Sequence, residues 1–362
     1  MAGVLRLMVN RVVCVVACCA GLLTVTQEAA AQPQNQNPHT RTIDQIRLLQ
    51  TVGVNDQGRI AEWVRFEVER LAQVVPGGRG AAARAFRVAF GDQFTDLKNT
   101  QAFLAQFPVQ TSVVAQTQFA DTNVDSWVAG SLARVLVDMN RSETHAGLLK
   151  GVACDVSLAR HLCARGLADQ RAYVASDNAR LATTVNAIKD AATAESSPVV
   201  LGSLYRALAY PNQLAAVFDA YVAIFDQRIA ARKKSPAADG AEASAFAFFR
   251  APVVTNSMTA GQKTQLVAKL AGFLRLDAER YNTAILAVDE IDRLERSLFT
   301  VEEILAAVTG AKGGDVRGVL ASGGFLNRAL VVREAYKWVG DPNAKTEGTL
   351  NAPPWNVPVG VW

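Results

Sequence analysis

DVSLARHLCARGLAD, residues 155–169, decides how the chain is read. An arginine, a histidine, a cysteine and a second arginine fall within residues 160–165, so in linear form the stretch looks chemical. On an α-helix that impression dissolves. Leu158, Ala159, Leu162, Cys163, Gly166 and Leu167 share one broad face, and Arg160, His161, Ala164 and Arg165 the other. His161 and Cys163 are two positions apart, point about 200° away from each other, and cannot act as base and nucleophile from one helix. The stretch reads as one helix of a packed array, with an apolar core face and a basic outer face.

The same helical period continues on both sides, from Arg41 to Gly340. In GRIAEWVRFEVERLAQVV, Ile60, Val64, Val68, Leu71 and Val75 fall on one face, and PGGRG (76–80) ends the helix. Pro108 is expected to end the helix that begins in NTQAFLAQF, and TSVVAQTQF (111–119) is the one place where a strand fits. Cap-type residues open the helices that follow: Asn123 and Asp125, Ser142, Asp155, Ser176 or Asp177, and Ser197 with Pro198 at the favoured first position. The helix after Tyr210 closes on Arg232, Lys233 and Lys234, cations that suit a helix C-terminus. Thr259 with Gln262, and Thr300 with Glu303, have capping-box spacing and predict two further helix starts. Gly323-Gly324 leaves one or two helices between 313 and 340.

Helix starts two apart are separated by 32 residues (Asn123 to Asp155), 34 (Ser142 to Ser176) and 42 (Asp155 to Ser197). These are helical-hairpin periods of the kind that build solenoids. ARHLCARGLA (159–168) resembles the second-helix signature of HEAT-type repeats, with Ala159, Arg160, Cys163, Ala164 and Leu167 in the characteristic places and Asp155 in the turn before it. The likeness covers one repeat well and 123–233 loosely, while 41–110 and 244–340 lack the signature. It implies an all-α fold, an irregular array of helical hairpins with an irregular C-terminal tail. HEAT-type proteins are usually scaffolds or binding surfaces.

MAGVLRLMVNR carries two arginines, VVCVVACCAGLLTV follows without charge, and Ala29 and Ala31 make an A-x-A site. That order is a secretory signal peptide over 1–31, with Gln32 as the mature start. Val15-Val16-Ala17-Cys18 leaves lipid attachment at Cys18 as an alternative. The 14-residue run is short of the roughly 20 residues a membrane span needs. No later segment is long and apolar enough, so no integral span is expected in the mature chain, which would be periplasmic or secreted. Residues 32–40 read as a polar tether, 41–234 as a helical-repeat domain, 235–244 as a linker, 245–340 as a C-terminal helical region and 341–362 as a tail that Trp355 and Trp362 pack back. Cys154 and Cys163 remain after cleavage. About eight residues of helix put them roughly 12 Å apart along the axis, beyond disulfide reach, so two buried free thiols are expected.

Half of the 362 residues are hydrophobic and 19% are charged, enough for a sizeable core. The net charge of +4 is too slight to indicate nucleic acid. His39, His145 and His161 have no zinc spacing, and no phosphate loop, nucleophile elbow or H-E-x-x-H occurs. Asp289, Glu290, Asp292 and Glu295 share a helix with Arg293 and Arg296, which reads as a solvated, salt-bridged face. Two functions follow. One is an exported, non-enzymatic scaffold that binds a protein or peptide without a cofactor, with Arg160, Arg165 and Arg171 as candidate partner surface. The alternative is an exported all-helical enzyme acting on cell-envelope glycan, with carboxylates brought together from different helices.

Overall fold

Caps and apolar periodicity turn three quarters of the chain into helix in the computed structural model, which describes residues 37–234, 240–283 and 285–359. The signal segment with Cys18, the tether up to 36, residues 235–239 and Trp362 lie outside the described residues. The sixteen described α-helices are α1 (Thr40–Ile46), α2 (Val54–Ala72), α3 (Arg79–Thr95), α4 (Gln101–Ala120), α5 (Ser126–Met139), α6 (His145–Gly151), α7 (Ser157–Asp169), α8 (Arg171–Ala175), α9 (Asn178–Ala194), α10 (Pro198–Leu208), α11 (Leu214–Lys234), α12 (Ala243–Val254), α13 (Ala260–Tyr281), α14 (Val288–Thr309), α15 (Val316–Ala321) and α16 (Arg328–Val339). No strand forms among the described residues, and an Asp341–Thr346 bridge is the one β-type pairing.

Helices pack on the next in sequence and on the next but one. α3, α5, α7, α10, α12 and α14 touch in succession and make one row. α2, α4 and α6 begin a second, which α9, α11, α13 and α16 continue. The second row is joined where the His145 ring of α6 meets Thr184 Oγ1 of α9 at 3.2 Å. Within a row the helices run parallel: Gly130 and Val137 of α5 lie against Leu158 and Gly166 of α7. Between rows they run antiparallel, with Leu148 and Gly151 of α6 on Gly166 and Cys163 of α7.

Side-chain size sets the spacing. Near each end the core is aromatic: Trp63, Phe86, Phe90, Phe103 and Phe107 on one side, and Tyr221, Phe225, Phe246, Phe249 and Phe273 on the other. The middle is built from Ala129, Ala133, Ala159, Cys163 and Ala164, all fully buried, so the helix backbones approach closely. A Cβ at Gly151 would overlap Cys163 Sγ and lie 3.1 Å from the Phe119 ring.

Several expectations give way to packing. Pro108 lies inside α4, which runs on through 111–119. Its missing N–H costs one hydrogen bond, but Phe103, Phe107, Val114, Ala115 and Phe119 are all buried along that helix and hold it straight through. Thr300 opens nothing: it is buried within α14 and donates to the Arg296 carbonyl at 2.8 Å. Asp125, not Asn123, caps α5, accepting from the Trp127 N–H at 2.8 Å. The tether ends early, because Asn37 is buried and donates to the Trp63 carbonyl and Glu67. The linker also ends early, because Glu242 is fully buried and α12 starts at Ala243. Val75 stands exposed past the end of α2. The tail does fold back through buried Leu350 and Val357, with Trp355 half-buried. Both cysteines are free and buried, as expected.

The face assigned to residues 155–169 is corrected in the same way. α7 begins at Ser157, Ala164 is buried, and Leu158 is 53% exposed, while Ala159, Leu162, Cys163, Gly166 and Leu167 are buried as the spacing predicts. Contacts with α5, α6 and α10 together cover a wider, rotated sector than an amphipathic helix on one neighbour would need.

Gly151→Ala is expected to destabilise the protein by about 1–3 kcal/mol, as overpacking does. Adding Cys163→Ala should recover part of that loss, because the overlapping sulfur is removed. Urea denaturation of the two single variants and the double variant measures the coupling; strict additivity would show that the contact is slack.

Candidate functional site

A hollow of about 960 Å³ opens between α3, α5 and α7. Asp125 fixes its wall by accepting the first-turn N–H groups of α5 and by pairing with Arg79 at 3.0 Å. Trp127, one residue into α5, stands 43% exposed at the rim, and Leu158 of α7 faces it. Gly130 lets Leu158 lie on the α5 backbone, since a Cβ there would come within 2.7 Å of Leu158 Cδ2. A second hollow of about 410 Å³ adjoins it along α3 and α5, lined in part by Val88, Phe94 and Met139. Arg87 lines both hollows. Arg87 and Arg134 each pair with Asp138 at 3.0 Å in a half-exposed bridge, a kind worth little in water and easily rearranged. Arg84 at the same rim has no ion-pair partner.

The three expected surface arginines part company. Arg160 is mostly enclosed: it donates to the Cys154 and Asp155 carbonyls at 2.8 and 2.9 Å and to the Glu195 carboxylate at 2.6 Å. Arg171 is half-buried, donates to the Arg206 carbonyl at 2.8 Å and lies 6.0 Å from the Tyr210 ring centre. Arg165 alone is exposed. His161, expected on the outer face, sits between α7 and α10, with Nδ1 2.9 Å from Ser203 Oγ. Burial, followed by the charges of Arg165 and Arg206, holds its imidazole below the usual value of 6.5. A buried serine on Nδ1 with no carboxylate behind the ring lacks the third group that orients a catalytic base.

The other groups with chemical potential are tied inward. Cys163 is fully buried, and burial pushes its thiol far above the usual value. Burial, outweighed by Arg232 and then Arg228, leaves the Glu242 carboxyl below the ordinary value. Arg232 also pairs with buried Asp277, which accepts from Ser297 at 2.6 Å. In the acidic stretch of α14, Asp289 pairs with Arg293 at 2.7 Å as the spacing predicts. Glu290, however, is buried on Arg280, and Glu295 accepts from Tyr281, so these two hold α13 to α14 rather than facing solvent. Among the described residues no three His, Cys, Asp or Glu side chains gather as a metal site. None of the described helices is long and apolar enough to cross a membrane.

Comparison with protein-family models, curated proteins and solved structures gives no match.

Sequence reasoning missed Trp127, Leu158 and Arg206 as surface residues. Leu158 falls on the apolar face by periodicity, and only the approach to Gly130, 28 positions away, lifts it out.

Glu195 carries a pH signature. Burial alone would raise its carboxyl, but hydrogen bonds from Arg160 and from the Ser197 and Ser196 N–H groups outweigh burial and hold it below 4.5. A depressed folded-state value contributes stability that is present above the unfolded value and is lost as pH falls through the folded one. Stability is therefore expected to hold down to about pH 5 and then decline, to the extent that this group contributes. Arg160→Ala should cost about 2–4 kcal/mol at pH 7 and flatten the decline. Denaturation midpoints from pH 3 to 8 test this; unchanged stability in Arg160→Ala at pH 7 would show that the tie is idle.

Proposed function

We propose that the chain is an exported helical-repeat protein of HEAT-like solenoid build. It works by binding a protein or peptide segment, with no cofactor, along the row of α3, α5, α7 and α10. The observation that carries this reading is a contrast. The groove under Trp127 and Leu158 lies open and apolar, while the buried carboxylates, thiols and histidines are occupied with internal contacts. Next-but-one packing of parallel helices is how stacked hairpins produce an extended recognition surface. A glycan hydrolase needs two carboxylates facing across a cleft. Glu242 and Asp277 instead share Arg232 inside the core.

Export is read from the A-x-A order at 29–31. Protein recovered outside the cytoplasm should begin at Gln32; a lipid-modified Cys18 would replace the free form with an anchored one. A photo-crosslinking residue in place of Trp127 should give a defined adduct in cells, and the same residue in place of exposed Glu69 of α2 should give none. Turnover of peptidoglycan or polysaccharide by the purified chain, abolished by one carboxylate substitution, would overturn the binding reading in favour of an enzyme.

A further inference from the structure

We propose that the groove beneath Trp127 and the guanidinium pair Arg165–Arg206 form one bipartite site for an extended acidic peptide, which seats a bulky apolar side chain in the groove and carboxylates on the two arginines about three residues away. This rests on the binding reading above and names the partner's chemistry.

The two halves are joined by α7. Leu158 and Arg165 are exposed and stand at i and i+7 on α7, so the groove edge and the first guanidinium lie about 10 Å apart along the axis. α10 runs parallel beside it: His161 meets Ser203, and Arg171, just past the end of α7, donates to the Arg206 carbonyl. That register carries Arg206, one turn beyond Ser203, level with Arg165. Both side chains are exposed, and neither has an ion-pair partner among the described residues. Asp169, one turn along α7 and also exposed, pairs with neither. Burial first, and then the charges of Arg165 and Arg206, lower the His161 imidazole that lies between the two helices. A strand-like peptide advances about 3.3 Å per residue, so about three residues span the distance.

Charge complementarity extends past the groove on its other side. There Arg84, Arg87 and Arg134 have one carboxylate among them, Asp138. A partner with an apolar anchor between acidic residues would meet cations at both ends, and arginine forks accept carboxylates in paired hydrogen bonds. A nucleic acid would call for a continuous basic track, whereas here the wall that carries Arg87 and Arg134 is interrupted by Trp127, Leu158, Leu162 and Asp155.

The test uses fluorescein-labelled Gly/Ser decapeptides, read by anisotropy against the purified mature chain. One set places Phe three residues from a Glu pair, in both chain directions. A second puts Phe next to the Glu pair, a third puts it seven residues away, and a fourth replaces Glu by Lys. Spacing-matched peptides should bind about tenfold more tightly than the others and weaken as salt rises from 50 to 300 mM. Arg165→Gln/Arg206→Gln and Trp127→Ala/Leu158→Ala should each weaken them about tenfold, with thermal melts confirming that the variants fold. Equal affinity across spacings, indifference to the arginine pair, or no peptide binding would overturn the proposal, as would salt-sensitive association with phosphatidylglycerol vesicles alone. None of these touches the binding reading, which fails instead on turnover or on the absence of a position-127 adduct.

Discussion

One carboxylate holds the middle of the molecule in register. Glu195 lies at the end of α9, nearly fully buried, and does three things at once. It neutralises Arg160 of α7 and accepts the backbone N–H groups of Ser196 and Ser197 where α10 is about to begin. Arg160 in turn grips the two carbonyls of the turn that leads into α7. The start of α7, the end of α9 and the approach to α10 are thus fixed to one point. The height of α7 against α10 follows, and with it the positions of Leu158 and Arg165 on the outer face. Replacing such a pair with apolar side chains is often neutral, but removing one member strands the other in a site without water. The pair therefore does more to choose one arrangement than to add net stability.

The same device recurs toward the C-terminus. Glu302 inside α14 accepts the Val316 and Arg317 N–H groups at the start of α15 and the Trp338 indole N–H of α16, all within 2.7–2.9 Å. Glu242 and Asp277 clasp Arg228 and Arg232 where the chain passes from α11 into α12 and α13. In each case a buried acid stands where the chain changes rows, and it satisfies helix-end donors or cations that packing has removed from water. The acids used in this way serve packing between helices, whereas the open groove is lined by Trp127, Leu158 and Leu162 beside Arg87 and Arg134.

The helical class was legible because its signals are local. Asp177 and Thr259 cap as their spacing indicates, Pro198 takes the first position of α10, and Gly323 adopts a left-handed conformation between α15 and α16. What stayed hidden is set by neighbours far along the chain. Pro108 is a helix breaker only until five apolar residues along α4 bury themselves. Thr300 has a cap's spacing, but α14 is packed along its whole length and its hydroxyl turns to a carbonyl one turn back. Arg160 looks like a solvent-facing cation until Glu195, 35 positions away, is brought beside it. Half of the proposed site shares this difficulty. Arg165 is visible from helical periodicity, whereas Trp127, Leu158 and Arg206 become one surface only through the parallel register of α5, α7 and α10.

Packing on the next helix and the next but one also sets how the chain responds to load. Every substantial helix contact joins elements no more than three apart, and the longest side-chain hydrogen bond among the described residues, Tyr336 to Glu279, spans 57 positions. Among the described residues no substantial helix contact joins one end to the other. Tension applied to the two ends of the described chain would therefore pass through successive helix junctions in series. The groove between α3, α5 and α7 spans two such junctions, so its width would follow the angles at which those three helices meet.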